Sequence, residues 1–289
     1  MRCCRVPRIF VERKQIPFTI ELFHVSGLMI QLFRFPIFLL IGFPFFTFSQ
    51  GNGVHANAHA HNDYEHTKPL KEALQNGFTS VEADVHLREG KLLVAHNQPL
   101  PTSKNLETLY LFPLDSILKV NGGRIYPGYD KPFYLMIDCK TEAVTTYQAI
   151  RKVLTEYPAL LCSLGNCSVM IFLSGNRPVS LMLKESDPGI ALDGRPEDLG
   201  KGFSPERMPV ISDHYNNWSK WNGKSKPGEN ELQGIKDLAQ RVHAEGKKLR
   251  LWAIPDNELT WEALLAAGVD LINTDQLEAL NHFLTKKGL

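Results

Sequence analysis

Glu82 and Asp84 stand two residues apart in the stretch Thr-Ser-Val-Glu-Ala-Asp-Val-His-Leu at 79–87, where Val81, Ala83, Val85 and Leu87 alternate with Glu82, Asp84 and His86. Alternate residues of a strand project to one side, which puts both carboxylates on one face, roughly 7 Å apart along the strand. Parallel carboxylates repel unless a proton or a cation lies between them. Polar groups facing inward from a buried strand break the local rule, and such breaks mark sites. A divalent metal is the simplest reason for the arrangement. A third carboxylate, Asp138, ends the run Phe-Tyr-Leu-Met-Ile, with Lys140 on the same face. Oxygen-only ligands favour Mg²⁺ or Ca²⁺. The bland alternative for Asp138 is a pair with Lys140 or a helix cap.

His61 and His96 fall at the exits of strands flanking these acids. Two imidazoles bracketing a metal suit proton transfer on a phosphodiester: one deprotonates the attacking hydroxyl, the other protonates the leaving oxygen. Lys140 and the metal would offset charge on the phosphoryl oxygens. His59, His66, His86 and His214 are weaker candidates, read first as structural.

Elements that alternate between strand and helix must carry these groups. Strand patterns occupy 54–60, 79–86, 133–139, 168–173, 189–193, 209–213, 249–254 and 269–273, and a short strand at 91–95 pairs back on the second through Glu89-Gly90. Helix patterns occupy 68–76, 114–120, 142–155, 230–245, 258–267 and 276–286. Strands alternating with helices predict a parallel sheet, and eight of them predict a single-domain α/β fold, a (β/α)8 TIM barrel with its site at the C-terminal strand ends. An open doubly wound sheet is the alternative. The segments 97–132 and 194–230, rich in Pro, Gly and Asn, predict long loops and a distorted barrel.

The chain has 289 residues, 43% apolar and 22% charged, enough for one large core. A net charge of +1 argues for no nucleic-acid partner; a small molecule or lipid head group is the expected partner. From Met29 a short basic start leads into an apolar run from Phe35 to Phe48 and a small-residue exit at Ser49-Gln50-Gly51. This predicts a signal peptide over 29–50, export after cleavage near Ser49, an upstream extension over 1–28 and a folded domain over 51–289. A membrane anchor is the alternative, although the run is shorter than the ~20 residues a span needs. Cys162 and Cys167 could close a small disulfide loop or remain free thiols.

The pattern His61…Glu82-x-Asp84…His96…Asp138-x-Lys140 resembles the phospholipase C-like phosphodiesterase superfamily, which includes glycerophosphodiester phosphodiesterases and spider-venom-type phospholipases D. That resemblance implies a TIM barrel, catalytic His61 and His96, and one divalent cation on Glu82, Asp84 and Asp138. It also implies Lys140 in catalysis and Asn62 and Trp252 in substrate binding. The stretch from Ala58-His-Ala-His-Asn-Asp-Tyr64 through Ser80-Val-Glu-Ala-Asp-Val85 is similar to the altered-inheritance-of-mitochondria family of phosphodiesterase-like proteins. Asn62-Asp63 stands where glycerophosphodiesterases carry Arg-Gly, and a Pro-Glu-Asn motif is missing. Asp138 in place of Glu is more like the phospholipase D branch, whose members form cyclic phosphates. Two rivals remain open. His59-x-His61, with His214 and Asp275, resembles the zinc amidohydrolase barrels, but that reading gives Glu82, Asp84 and Lys140 no role. A barrel that binds phosphorylated head groups without turnover is the other.

Overall fold

The computed structural model describes residues 53–162, 167–186 and 189–289. The expected upstream extension and signal peptide lie outside the described residues. Nine strands form one sheet: β1 (His55–Ala60), β2 (Phe78–Arg88), β3 (Lys91–Val94), β4 (Phe133–Cys139), β5 (Val169–Gly175), β6 (Ala191–Gly194), β7 (Val210–His214), β8 (Lys248–Trp252) and β9 (Leu271–Thr274). Their order is β1-β9-β8-β7-β6-β5-β4-β2-β3, and β1 also pairs with β2. That last pairing closes eight parallel strands into a barrel and excludes the open sheet. The helices are α1 (Lys71–Gln75), α2 (Phe112–Val120), α3 (Ala143–Leu154), α4 (Val179–Met182), α5 (Gln233–Ala244), α6 (Glu258–Ala266) and α7 (Leu277–Lys287). Among the described residues no helix is long and apolar enough to cross a membrane.

Period-two alternation explains the two sides of the barrel wall. Outward residues such as Val81, Ala83, Leu135, Ile137, Ile171 and Leu173 are buried in one apolar layer with helix residues such as Ile150, Leu238 and Leu280. Inside, Met136, Phe172, Ala191, Val210 and Leu271 form a small separate apolar plug. Two residues further along each of those strands the interior becomes polar: Asp138, Ser174, Asp193, Ser212 and Asn273. The plug fills the lower barrel, and the polar ring faces the C-terminal mouth.

β2 is the longest strand, and its length positions the site. Its first half pairs with β1 at Phe78–Val81 and with β4 at Ser80–Val85. Beyond the end of β1 it continues, and β3 folds back antiparallel on Val85–Arg88. The amide of Ala95 then donates to the Asp84 carbonyl at 3.2 Å, which brings His96 over the mouth. The barrel is thin at β6, where only two residues pair with each neighbour. The loop before α2 is less irregular than expected, because Glu107–Leu111 forms a wide helical turn that runs into α2. Cys162 and Cys167 are joined as a disulfide.

Gly175 ends β5 with φ +62°, a left-handed conformation. A Cβ there would fall on Asp138 Oδ1 and lie 2.6 Å from the Cys139 carbonyl. Gly90, at φ +75°, has nothing within 4 Å of the same position. Gly90→Ala should therefore cost about 1 kcal/mol through backbone strain alone. Gly175→Ala should cost about 2 kcal/mol or more, because the methyl also displaces Asp138. Urea denaturation of both variants checks this; equal losses would show that the close approach to Asp138 is absent.

Candidate active site

The carboxylates of Glu82, Asp84 and Asp138 converge at the mouth of the barrel. Each offers an oxygen within 4.8 Å of the other two, and among the described residues no other group of three His, Cys, Asp or Glu side chains meets this condition. The register explains the meeting: Asp84 lies beside Asp138 across β2 and β4, and Glu82 lies two residues below Asp84 on the same face. Glu82 and Asp84 are buried.

Cations already answer part of this charge. Arg250 Nη2 on β8 reaches Glu82 Oε2 at 2.8 Å across the barrel, and its Nε donates to Asn273 Oδ1 at 3.0 Å. Burial works against ionised Glu82, but the Arg250 guanidinium, the His59 hydrogen bond and the charges of His59 and His61 together outweigh it and hold the carboxyl down at about 2. Lys140 Nζ lies 3.0 Å from Asp84 Oδ2 and 3.4 Å from Asp138 Oδ1. Burial and the charges of Asp84 and Glu82 raise the Asp138 carboxyl above its ordinary range against the pull of Lys140. Three carboxylates face two cations, which leaves one negative charge unanswered. Asp84 Oδ1 is buried with no hydrogen-bond partner. A buried acceptor in a carboxylate cluster is what an oxygen-seeking divalent cation needs, so this donor set fits Mg²⁺ or Ca²⁺.

Two histidines flank the trio, each with Nδ1 against a carboxylate. His61 Nδ1 lies 2.8 Å from Asp275 Oδ1. Burial opposes protonation of this ring, yet the Asp275 hydrogen bond and the charges of Glu82 and Asp275 raise its pKa above the ordinary value. His96 Nδ1 lies 3.2 Å from Asp84 Oδ2, with its side chain 55% exposed. A carboxylate can only accept, so each Nδ1 carries the proton and each Nε2 is left to exchange one with a bound molecule. His86 holds the loop: its Nε2 donates to the Ala95 carbonyl at 3.1 Å.

The turn after β1 orders this corner. Asn62 takes a left-handed conformation, φ 46°, which Asn tolerates better than most residues. Its Oδ1 lies 2.7 Å from the Tyr64 hydroxyl, which also lies 2.8 Å from Asp84 Oδ2. Asp63 is buried beneath the turn and accepts from the Leu70 amide at 2.6 Å and the Tyr110 hydroxyl at 2.9 Å. Trp252, at the end of β8, stands at the mouth in an edge-to-face contact with His214, ring centres 4.3 Å apart.

The eight residues singled out by sequence all lie at the mouth. Glu82, Asp84, Asp138, Lys140, His96, His61 and Asn62 join one cluster, His61 through Asn62 and Asn62 through Tyr64, which reaches Asp84. Trp252 sits apart from it, against His214. Sequence reasoning missed Arg250, the contact of Tyr64 with Asp84 and the link from His61 to Asp275, because these pairs join distant segments and no local spacing announces them. The zinc amidohydrolase arrangement is not assembled. His59 is fully buried, with Nδ1 2.7 Å from Ser80 Oγ and Nε2 3.4 Å from Glu82 Oε2. Burial and Arg250 push the His59 ring down to about 4. His214 Nδ1 accepts from the Asn216 amide.

Known proteins resemble parts of this chain. A family described as the AIM6-like phosphodiesterase domain matches residues 50–159. The glycerophosphoryl diester phosphodiesterase family matches residues 248–278, which include Arg250, Trp252 and Asp275. These matches support a glycerophosphodiester phosphodiesterase-like superfamily for the chain. Altered inheritance of mitochondria protein 6 from Eremothecium gossypii is 28% identical, covering 80% of this chain and 70% of the relative. Its homolog from Arthroderma benhamiae is also 28% identical, covering 76% and 81%. The Saccharomyces cerevisiae protein of that name is 27% identical, covering 76% and 68%. A solved glycerophosphodiester phosphodiesterase from Agrobacterium tumefaciens superposes with a TM-score of 0.47 at 11% identity, covering 80% of this chain and 99% of that one. These relatives overturn the expectation of export: their name ties them to mitochondria and not to secretion. Basic residues ahead of an apolar run are not peculiar to secretory leaders, and the pattern alone was over-read.

Asp63 provides a stability test of the turn that carries His61. Burial pushes its carboxyl up to about 7, against the hydrogen bonds from Leu70 and Tyr110. The unfolded chain releases this proton near pH 3.8 and the folded chain near pH 7. Its stabilising contribution is therefore complete at low pH and lost as pH rises through about 7. Asp63→Asn should remove that slope. Urea midpoints measured across this range should fall for the parent relative to the variant; parallel curves would contradict the assignment.

Proposed function

We propose that this protein is a divalent-metal-dependent phosphodiesterase acting on a glycerophosphodiester or a phospholipid head group, with His61 and His96 exchanging protons. The observation that carries this reading is the convergence of Glu82, Asp84 and Asp138, one oxygen of Asp84 being unpartnered, with His96 against Asp84 and His61 linked to it through Asn62 and Tyr64. The superfamily resemblance supports phosphodiester chemistry at the coarser level.

Glu82, Asp84 and Asp138 would hold Mg²⁺ or Ca²⁺, which supplies Lewis-acid stabilisation of the phosphoryl oxygens. Lys140 adds positive charge beside the same oxygens. His61, kept protonated to higher pH by Asp275, acts as the acid. His96 Nε2 takes the proton from the attacking hydroxyl as its oxygen bonds to phosphorus. The bond to the leaving oxygen breaks, and His61 Nε2 protonates that oxygen. Attack by water gives a monoester and an alcohol; attack by a neighbouring hydroxyl of the substrate gives a cyclic phosphate. A binder needs no matched acid and base, and the paired carboxylate–imidazole contacts favour turnover. Asn62 and Trp252 would meet the substrate, as the family resemblance implies.

Turnover of bis-p-nitrophenyl phosphate with added Mg²⁺ or Ca²⁺, and its loss in EDTA, tests the reading. His61→Ala and His96→Ala should each lower kcat by about 10²–10⁴-fold while circular dichroism stays unchanged. Equal rates in the parent, both variants and EDTA would contradict it.

A further inference from the structure

A second charged cluster lies at the mouth, at the ends of β5 and β6, and the chemistry above leaves it unused. Asp193 on β6 is fully buried and fully matched. Its Oδ2 accepts from Arg195 Nη1 at 2.7 Å and Ser174 Oγ at 2.8 Å, and its Oδ1 accepts from Ser212 Oγ at 2.6 Å. Arg195 Nη1 also donates to the Gly194 carbonyl at 2.8 Å, and Nη2 reaches Ser174 Oγ at 3.4 Å. Asp193 and Arg195 thus neutralise each other.

Arg177, just past β5, has no such match. Its Nη1 donates to the Gly175 carbonyl at 3.2 Å. Its Nε is buried and has no partner. Among the described residues no carboxylate lies within ion-pair distance of it, although its side chain is partly buried. Burial and the neighbouring Arg195 charge both disfavour its protonated form, opposed only by the charges of Asp193, Asp198 and Asp138. A partly buried guanidinium without an acid, next to a second guanidinium, is costly unless an anion joins them. Arg177 Nη1 holds the carbonyl of Gly175, which packs against Asp138 Oδ1, and Arg195 Nη2 reaches Ser174, the neighbour of Asp138 across β4 and β5, so the cluster adjoins the acidic trio.

We propose that Arg177, backed by Arg195, is an anion subsite that receives a second negatively charged group of the substrate, a phosphate monoester or a carboxylate on one arm of the diester. The proposal deepens the phosphodiesterase reading and rests on it. Arginine suits the task because its planar fork offers several parallel donors to a tetrahedral or planar oxyanion. The donor that such a group would meet is Arg177 Nη2, which has no hydrogen-bond partner among the described residues and is not among the buried atoms. Substrates with a plain alcohol on that arm would leave Arg177 unanswered, so the site would select against them.

The test has two arms. Ethylene glycol bisphosphate is titrated calorimetrically into the parent protein, Arg177→Gln and Arg177→Lys, all in EDTA, so that no turnover intervenes. The parent should bind at least about tenfold more tightly than Arg177→Gln, with Arg177→Lys between them, as loss of a charge-assisted contact implies. Separately, kcat/KM is measured with metal for two p-nitrophenyl phosphodiesters, one with a phosphoethyl arm and one with a methoxyethyl arm. The parent should prefer the phosphoethyl ester, and Arg177→Gln should reduce that ratio by about tenfold. Equal affinities of the parent and Arg177→Gln for the bisphosphate would overturn the subsite, whatever the turnover. No turnover of either ester, with the affinity difference intact, would instead overturn the phosphodiesterase reading and leave the anion site standing.

Discussion

Repulsion among Glu82, Asp84 and Asp138 is the constraint around which this barrel is organised. Three carboxylates on adjoining strands are costly in a partly water-excluded space, and the structure answers them unequally. Glu82, the deepest, is bound by Arg250 from the opposite wall. Asp84 and Asp138 share one lysine, and one oxygen of Asp84 has no partner at all. A chain selected only for stability would gain by replacing such a cluster with apolar residues. Its presence, and its incomplete neutralisation, point to a cation and then to an anionic substrate.

The rest of the site follows from how a parallel barrel presents its residues. Five strands, β4, β5, β6, β7 and β9, contribute inward side chains that are apolar at the lower level and polar at the upper, while Glu82 and Arg250 sit beside the plug on β2 and β8. The change from plug to ring within two residues puts chemistry at the mouth without opening the core. The extension of β2 beyond its neighbour, and the hairpin to β3, bring a histidine over the cluster that no ring strand could supply. The pairing of β1 with β9 continues as the His61 amide donates to the Thr274 carbonyl at 3.0 Å, which brings His61 beside Asp275.

Much of this was legible in the sequence. The strands and main helices are found within a few residues of their predicted places, because alternation along β2, β4 and β5 is undisguised. The acidic trio was legible for the same reason: Glu82 and Asp84 break an apolar pattern that otherwise holds. Arg250 was not, since a buried arginine in Lys-Leu-Arg-Leu-Trp reads like any polar residue on an amphipathic strand. Its partner lies 168 positions away. Tyr64 and Asp275 were named, one within the family motif and the other as a rival zinc ligand, but their contacts with Asp84 and His61 are set by tertiary structure and were missed. His59 was legible as a residue but not as a role; burial beside Glu82 and Ser80 makes it a neutral support. The leader misled, because basic and apolar composition alone does not name a destination.

The central claim is that the three acids share one hard cation. The most direct measurement is an anomalous difference map from crystals soaked in Mn²⁺, which substitutes for Mg²⁺ at oxygen sites. The account predicts one strong peak in contact with Glu82, Asp84 and Asp138, about 2.2 Å from an oxygen of each, Asp84 Oδ1 among them. No peak at the trio, with Lys140 still bridging Asp84 and Asp138, would show that the lysine is the only counter-ion these acids require.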